Sequence, residues 1–123
     1  MSKEIIGETS LGLPFSPAVS AGGFIFLSGQ MAFGSDNKLR DGDITIQTRQ
    51  VLDNIKSILA GIGLGMDAIV KNTVWLTDVE DFPAFNQAYA LYFPESPPAR
   101  STVRSDLMLS GARIEIEALA IKP

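Results

Sequence analysis

ARIEIEALAI, residues 112–121, alternates apolar with other side chains at a period of two, the mark of a β-strand. Successive residues of a strand point to opposite faces. Ile114, Ile116, Ala118 and Ala120 therefore share one face, suited to packing under helices, while Arg113, Glu115 and Glu117 share the other. Residues 99–106 read as the strand before it. There Ala99, Ser101 and Val103 point one way, and Arg100, Thr102 and Arg104 the other. If the two strands are neighbours, Arg100 and Glu115 project from the same side of the sheet. The polar face has two readings. It is a solvated face with cross-strand Arg–Glu pairs, as antiparallel sheets often have. Or it is buried in an oligomer, because Trp75, Leu119 and Ile121 set large apolar groups among its charges. Charges desolvated in an interface interact strongly with whatever polar group reaches them.

The rest of the chain supplies the cover. Asp43 is placed to cap a helix over 43–60, in which Ile44, Val51, Leu52, Ile55, Ile58 and Leu59 form one stripe and Gly61 and Gly63 supply the stop. A second helix runs from about Asp81 to Tyr92, with Pro83 in its first turn and Phe82, Phe85, Tyr89 and Phe93 along one face; SPPA (96–99) ends it. Between them IVKNTVWLT (69–77) alternates, Val70, Val74 and Leu76 against Lys71, Thr73, Trp75 and Thr77. Upstream, KEII (3–6) is a short strand, a loop with Gly12, Pro14 and Pro17 follows, and GFIFLS (23–28) is a second strand; Gly34 to Gly42 is a loop. The expected fold class is α+β: one mixed sheet with two helices on one face, in a single domain spanning 1–123. No internal linker, low-complexity tract or repeat interrupts it.

Composition narrows the chemistry. The chain of 123 residues is 46% hydrophobic and 20% charged, an ordinary globular balance. Ten basic residues face 14 acidic ones, a net charge of −4, which disfavours nucleic acid as a partner. There is no Cys and no His. Disulfides are impossible, zinc and transition-metal sites lose their usual ligands, and Ser–His or Cys–His nucleophilic schemes lose their base. Asp, Glu, Lys, Tyr, backbone and water remain for acid–base work. MSKEIIGETS lacks the apolar core of a signal peptide, and no apolar stretch is long enough to span a bilayer, so a cytoplasmic location is expected.

Several blocks together resemble the RidA/YjgF family, also described as endoribonuclease L-PSP or translation inhibitor proteins. They are FLSGQ (26–30), QVLDNIKSIL (50–59), KNTVWLTDVEDF (71–82), FNQAYALYF (85–93), PPARSTV (97–103) and RIEIEALA (113–120), in order and over nearly the whole chain. The resemblance implies a chorismate mutase-like fold and a homotrimer whose sheets close into a central β-barrel, with ligand sites in clefts between subunits. It implies hydrolysis of reactive 2-imino acids, such as 2-iminopropanoate and 2-iminobutanoate, to 2-keto acids and ammonia, with no metal and no cofactor. Residue by residue, it makes Arg100 the carboxylate binder and Glu115 the group that positions or activates water. It makes the Thr102 backbone N–H a substrate anchor, and Ser28, Gly29 and Asn86 pocket residues. Arg suits its role, since a planar fork holds a carboxylate through two parallel hydrogen bonds. Glu117 is expected at an interface or in a salt bridge. One departure stands out: many active members carry a Tyr after the early-loop proline, where FSPAVSAGG offers Ala18, and Phe15 fills space without a hydroxyl.

Three rival functions follow from the same residues. The trimer holds a small carboxylate without turning it over, a reading the missing tyrosine favours. It acts on RNA, against the acidic balance and the absence of His. Or it deaminates an enamine of a ring-cleavage pathway, the same chemistry on another substrate.

Overall fold

A strand whose alternate residues are all apolar needs a cover, and two helices supply it. The computed structural model describes residues 2–9 and 12–123. In chain order the elements are β1 (Glu4–Ile6), β2 (Ala18–Ala21), β3 (Phe24–Gln30), α1 (Ile44–Ala60), β4 (Ile69–Leu76), α2 (Phe82–Ala90), β5 (Ala99–Arg104) and β6 (Ile114–Ile121). The strands form one six-stranded sheet in the order β1-β2-β3-β6-β4-β5. β4 and β5 run parallel and the other pairs antiparallel, so the sheet is mixed, as expected.

Both helices form where apolar spacing and caps favour them. Asp43 Oδ1 accepts the Ile46 N–H at 3.0 Å, which satisfies one of the donors that a helix start leaves free. α1 buries Ile44, Val51, Leu52, Ile55 and Leu59 on the sheet, together with two polar residues, Gln47 and Thr48. Each fully buried Ile or Leu is worth about 1.5–3 kcal/mol. Gly61 is the C-cap and Gly63 completes the stop: at φ +77° it turns the chain so that the Leu64 N–H returns to the Leu59 carbonyl at 2.9 Å. α2 is shorter than its pattern, because residues 79–81 wind as a 3-10 turn before it. Phe85, Tyr89 and Phe93 are buried, while Phe82 is 42% exposed.

Four expectations are corrected. Residues 18–21, expected in a loop, are β2, which makes a hairpin with β3 through Gly22 and Gly23, at φ +59° and +85°. Two successive left-handed residues are what a tight hairpin turn of the right twist demands, and Gly adopts them without steric cost. Val70 does not share a face with Val74 and Leu76. β4 bulges at this point, where Ile69 pairs with Ala120 but Lys71 already with Leu119, and the extra residue is pushed outward. Ala18, offered as the counterpart of the early-loop tyrosine, is not in the loop: it pairs with Leu27 and is wholly buried. Phe15, directly after Pro14, is the exposed aromatic of the early loop. Finally, β5 and β6 are not neighbours, since β4 lies between them.

Candidate functional site

The position of β4 decides where the candidate residues go. In the parallel β4–β5 pair Asn72 stands beside Arg100 and Val74 beside Thr102. Asn72, Val74 and Leu76 are buried under the helices, so Arg100 and Thr102 also lie on the helix side. In the β4–β6 pair Trp75 stands beside Glu115 and Thr73 beside Glu117, on the opposite, uncovered face. Arg100 and Glu115 therefore point away from each other. Their cross-strand partners on β4 are three residues apart, roughly 10 Å along the strand. Arg100 and Glu115 would share one side of the sheet only if β5 and β6 were neighbours, and β4 between them removes that condition.

Arg100 sits against α2. Its guanidinium carbon lies 5.8 Å from the ring centre of Phe82, 5.1 Å from Phe85 and 4.8 Å from Tyr89. Those rings occupy helical positions i, i+3 and i+7, one face of α2, and SPPA turns the chain back so that β5 runs beneath that face. The Asn72 amide donates to the Tyr89 hydroxyl at 2.8 Å. Burial pushes the pKa of that hydroxyl up, while the Asn72 hydrogen bond and then the charge of Arg100 pull against it. Asn86 is half-buried and borders the same helix face, four residues from Phe82.

β5 is the edge of the sheet. The Ser105 N–H reaches back to the Leu76 carbonyl at 2.9 Å. Backbone direction alternates along a strand, so the N–H of Thr102 faces the open edge, available to a ligand. The Thr102 side-chain oxygen is buried without a hydrogen-bond partner. A cleft of about 230 Å³ opens beside it, walled by Leu76, Val79, Phe82 and Val103.

The other half of the site forms around a second bulge. Leu27 pairs with Ala118 but Gln30 with Ile116, so β3 carries an extra residue at Ser28–Gly29, and bulges of this kind are frequent beside active sites. The Glu115 carboxyl packs on Gly29: a Cβ there would collide with Oε2 and lie 2.9 Å from the carboxyl carbon. Burial, and after it the charge of Glu117, hold the Glu115 carboxyl above its ordinary pKa. Among the described residues the one ion pair joins Arg113 to Asp81, so no cation neutralises Glu115. Ser28 is committed elsewhere. Its hydroxyl donates to the Ser16 carbonyl at 2.5 Å and its N–H to the Pro17 carbonyl at 2.9 Å, which ties the early loop and Phe15 to this half. Glu117 is exposed beside a hollow of about 280 Å³ lined by Phe26, Lys71, Thr73 and Leu119. Larger hollows, near Arg49 and Tyr92 and near Asp41 and Arg113, hold none of these groups.

Asn72, Tyr89, Phe82 and Phe85 were not among the residues expected at the site. Asn72 was the findable one: it occupies the inward position of an alternating strand whose next two inward residues are Val74 and Leu76, where a polar side chain needs a reason.

Known proteins share this fold. Residues 9–122 match the family described as endoribonuclease L-PSP. A RutC family protein of Pyrococcus horikoshii is 44% identical over 110 residues, 89% of this chain and 87% of its own. The crystal structure of YyfA of Yersinia pestis, of the Rid protein family, superposes with a TM-score of 0.90 at 38% identity over 98% of this chain and 99% of its own. That of E. coli TdcF, with bound serine, superposes with a TM-score of 0.83 at 32% identity over 89% of each chain.

Proposed function

Since the chain belongs to the endoribonuclease L-PSP family, the RidA/YjgF proteins of chorismate mutase-like fold, we propose that it is a 2-imino acid deaminase whose sites are each shared by two subunits of a homotrimer. Its substrates are small carboxylate-bearing imines such as 2-iminopropanoate and 2-iminobutanoate, met in the cytoplasm. One observation carries the reading. An arginine set over aromatic rings at a sheet edge and a desolvated carboxyl packed on a glycine bulge lie on opposite faces of one sheet. A single subunit cannot close them on one small substrate, whereas the edge of one copy set against the open face of another can. The serine bound by TdcF is a small amino acid of the size and carboxylate chemistry required.

In this scheme Arg100 and the Thr102 N–H of one subunit fix the substrate carboxylate, which supplies orientation. Glu115 of the other subunit holds a water against the imine carbon and accepts its proton as the oxygen adds. The carbinolamine nitrogen takes up that proton and the C–N bond breaks, while Glu115 accepts the hydroxyl proton as the C=O of the keto acid forms; ammonia then leaves with that proton as ammonium. A protonated imine is already electrophilic, so neither metal nor cofactor is called for. The bulge residues Ser28 and Gly29 shape the floor, and Asn86 borders the Arg100 side.

A second reading is a trimer that binds small carboxylates without turnover. It is favoured by Phe15, an exposed aromatic without a hydroxyl on the loop tied to Ser28. The test generates 2-iminopropanoate from alanine with an oxidase and lets semicarbazide compete for it. Wild-type protein is expected to lower semicarbazone formation and release keto acid, and Arg100→Ala to do neither. Stabilisation of the fold by pyruvate without any loss of semicarbazone would instead favour the binder.

A further inference from the structure

A guanidinium is planar, and rings packed against its face leave only its in-plane N–H edge for an anion. The guanidinium carbon of Arg100 lies over three rings, with their centres within 5.8 Å. The rings are themselves in register: Phe82 and Phe85 are 6.4 Å apart, Phe85 and Tyr89 5.3 Å. Tyr89 is held at its hydroxyl by Asn72, which stands directly beside Arg100 in the sheet. One strand pair thus carries both the arginine and the amide that fixes the ring beneath it. Filling this space does not require a phenol, since phenylalanine packs the same volume. Nor does β4 require an amide where its inward neighbours are Val74 and Leu76. The cost is visible, because Asn72 is wholly buried and its Oδ1 has no hydrogen-bond partner.

We propose that Tyr89, fixed by Asn72, forms with Phe82 and Phe85 a seat that holds the Arg100 guanidinium in the plane required for two-pronged capture of a carboxylate, making Tyr89 and Phe82 positioning residues that set substrate affinity rather than the chemical step. This rests on Arg100 being the carboxylate binder. Removing the Tyr89 oxygen or the Phe82 ring frees the guanidinium to tilt, so the anion meets one N–H where it met two.

The experiment compares Tyr89→Phe and Phe82→Leu with wild type, in imine turnover and in calorimetric binding of 2-oxobutanoate. Phe82 is 42% exposed, so its replacement leaves the core intact even if Tyr89→Phe weakens the fold. Each variant is expected to raise KM and Kd about 3- to 10-fold, the effect of one lost cation–π contact or hydrogen bond, with kcat within about twofold. Repeated in an Arg100→Lys background, where an ammonium has no plane to hold, the same changes are expected to add less than about twofold. Unchanged KM and Kd in both single variants, or an equal further loss in the Lys background, overturns the seat. If Arg100→Ala itself retains full binding and turnover, the carboxylate reading fails first, a result distinct from either.

Discussion

Glu115 is the residue on which the proposed chemistry turns, and its surroundings determine its protonation. Burial disfavours the carboxylate, and Glu117, two residues along the same face, adds like-charge repulsion, so its pKa lies above the ordinary value. A base must be ionised to accept the proton of water. The deamination rate is therefore expected to fall as pH drops through this raised pKa, at a higher pH than a free glutamate would set. Glu117→Gln removes the smaller of the two causes. A log(kcat/KM) profile of that variant should show its acidic limb displaced to lower pH, with the plateau unchanged. An acidic limb at the same pH in both proteins would mean that Glu115 is not the titrating group. Gly29 belongs to the same arrangement, since a methyl group there meets the carboxyl it supports.

Among the elements, α1 carries more of the tertiary structure than its apolar stripe suggests. Gln47 is 1% exposed and makes three backbone contacts. Its amide donates to the carbonyls of Arg40 at 3.1 Å and Gly111 at 3.0 Å, and its oxygen accepts the Arg113 N–H at 2.8 Å. One side chain thus pins the loop before the helix to the loop that leads into β6. Replacing it with leucine keeps the volume and leaves three backbone groups without partners, at about 1–3 kcal/mol each where water cannot reach them. Gln47→Leu is expected to lower the unfolding free energy by about 3 kcal/mol in a urea titration, and a loss under about 1 kcal/mol would show that water repairs the contacts. Gln47 also marks the limit of sequence reading. The period of 3.6 located α1 and the Asp43 cap from side chains alone, because both are local. The alternation of 112–121 located β6 and its buried face for the same reason. The roles of Gln47 and Asn72 depend on partners 64 to 66 and 17 residues away, which periodicity does not report. β2 was within reach, since Gly22-Gly23 between AVSA and FIFLS is a hairpin signal. Strand order was the costly gap: nothing local says that β4 inserts between β5 and β6, and that insertion sends Arg100 and Glu115 to opposite faces.

For the whole molecule, that separation becomes a statement about assembly. The face of the sheet away from the helices carries Phe24, Phe26 and Ile121, all exposed, beside half-buried Leu119 and Trp75. An apolar face of this kind is normally covered in a soluble protein, and a closed ring of copies covers it symmetrically. If each site joins Arg100 of one subunit to Glu115 of the next, two inactive variants must repair each other. Arg100→Ala and Glu115→Gln, each inactive alone, are mixed unfolded in equal amounts and refolded together. In a randomly mixed ring about one interface in four receives an intact Arg100 from one side and an intact Glu115 from the other, so about a quarter of wild-type turnover is expected to return. A site contained within one subunit gives no such recovery, because every chain in the mixture lacks one of its two groups. Refolding each variant separately and then combining them, without time for exchange, is the control that should stay inactive. Recovery in the co-refolded sample alone would tie the opposed faces of this sheet to the chemistry through a neighbouring copy; its absence, in rings shown by sedimentation to be mixed, would require Arg100 and Glu115 to act apart.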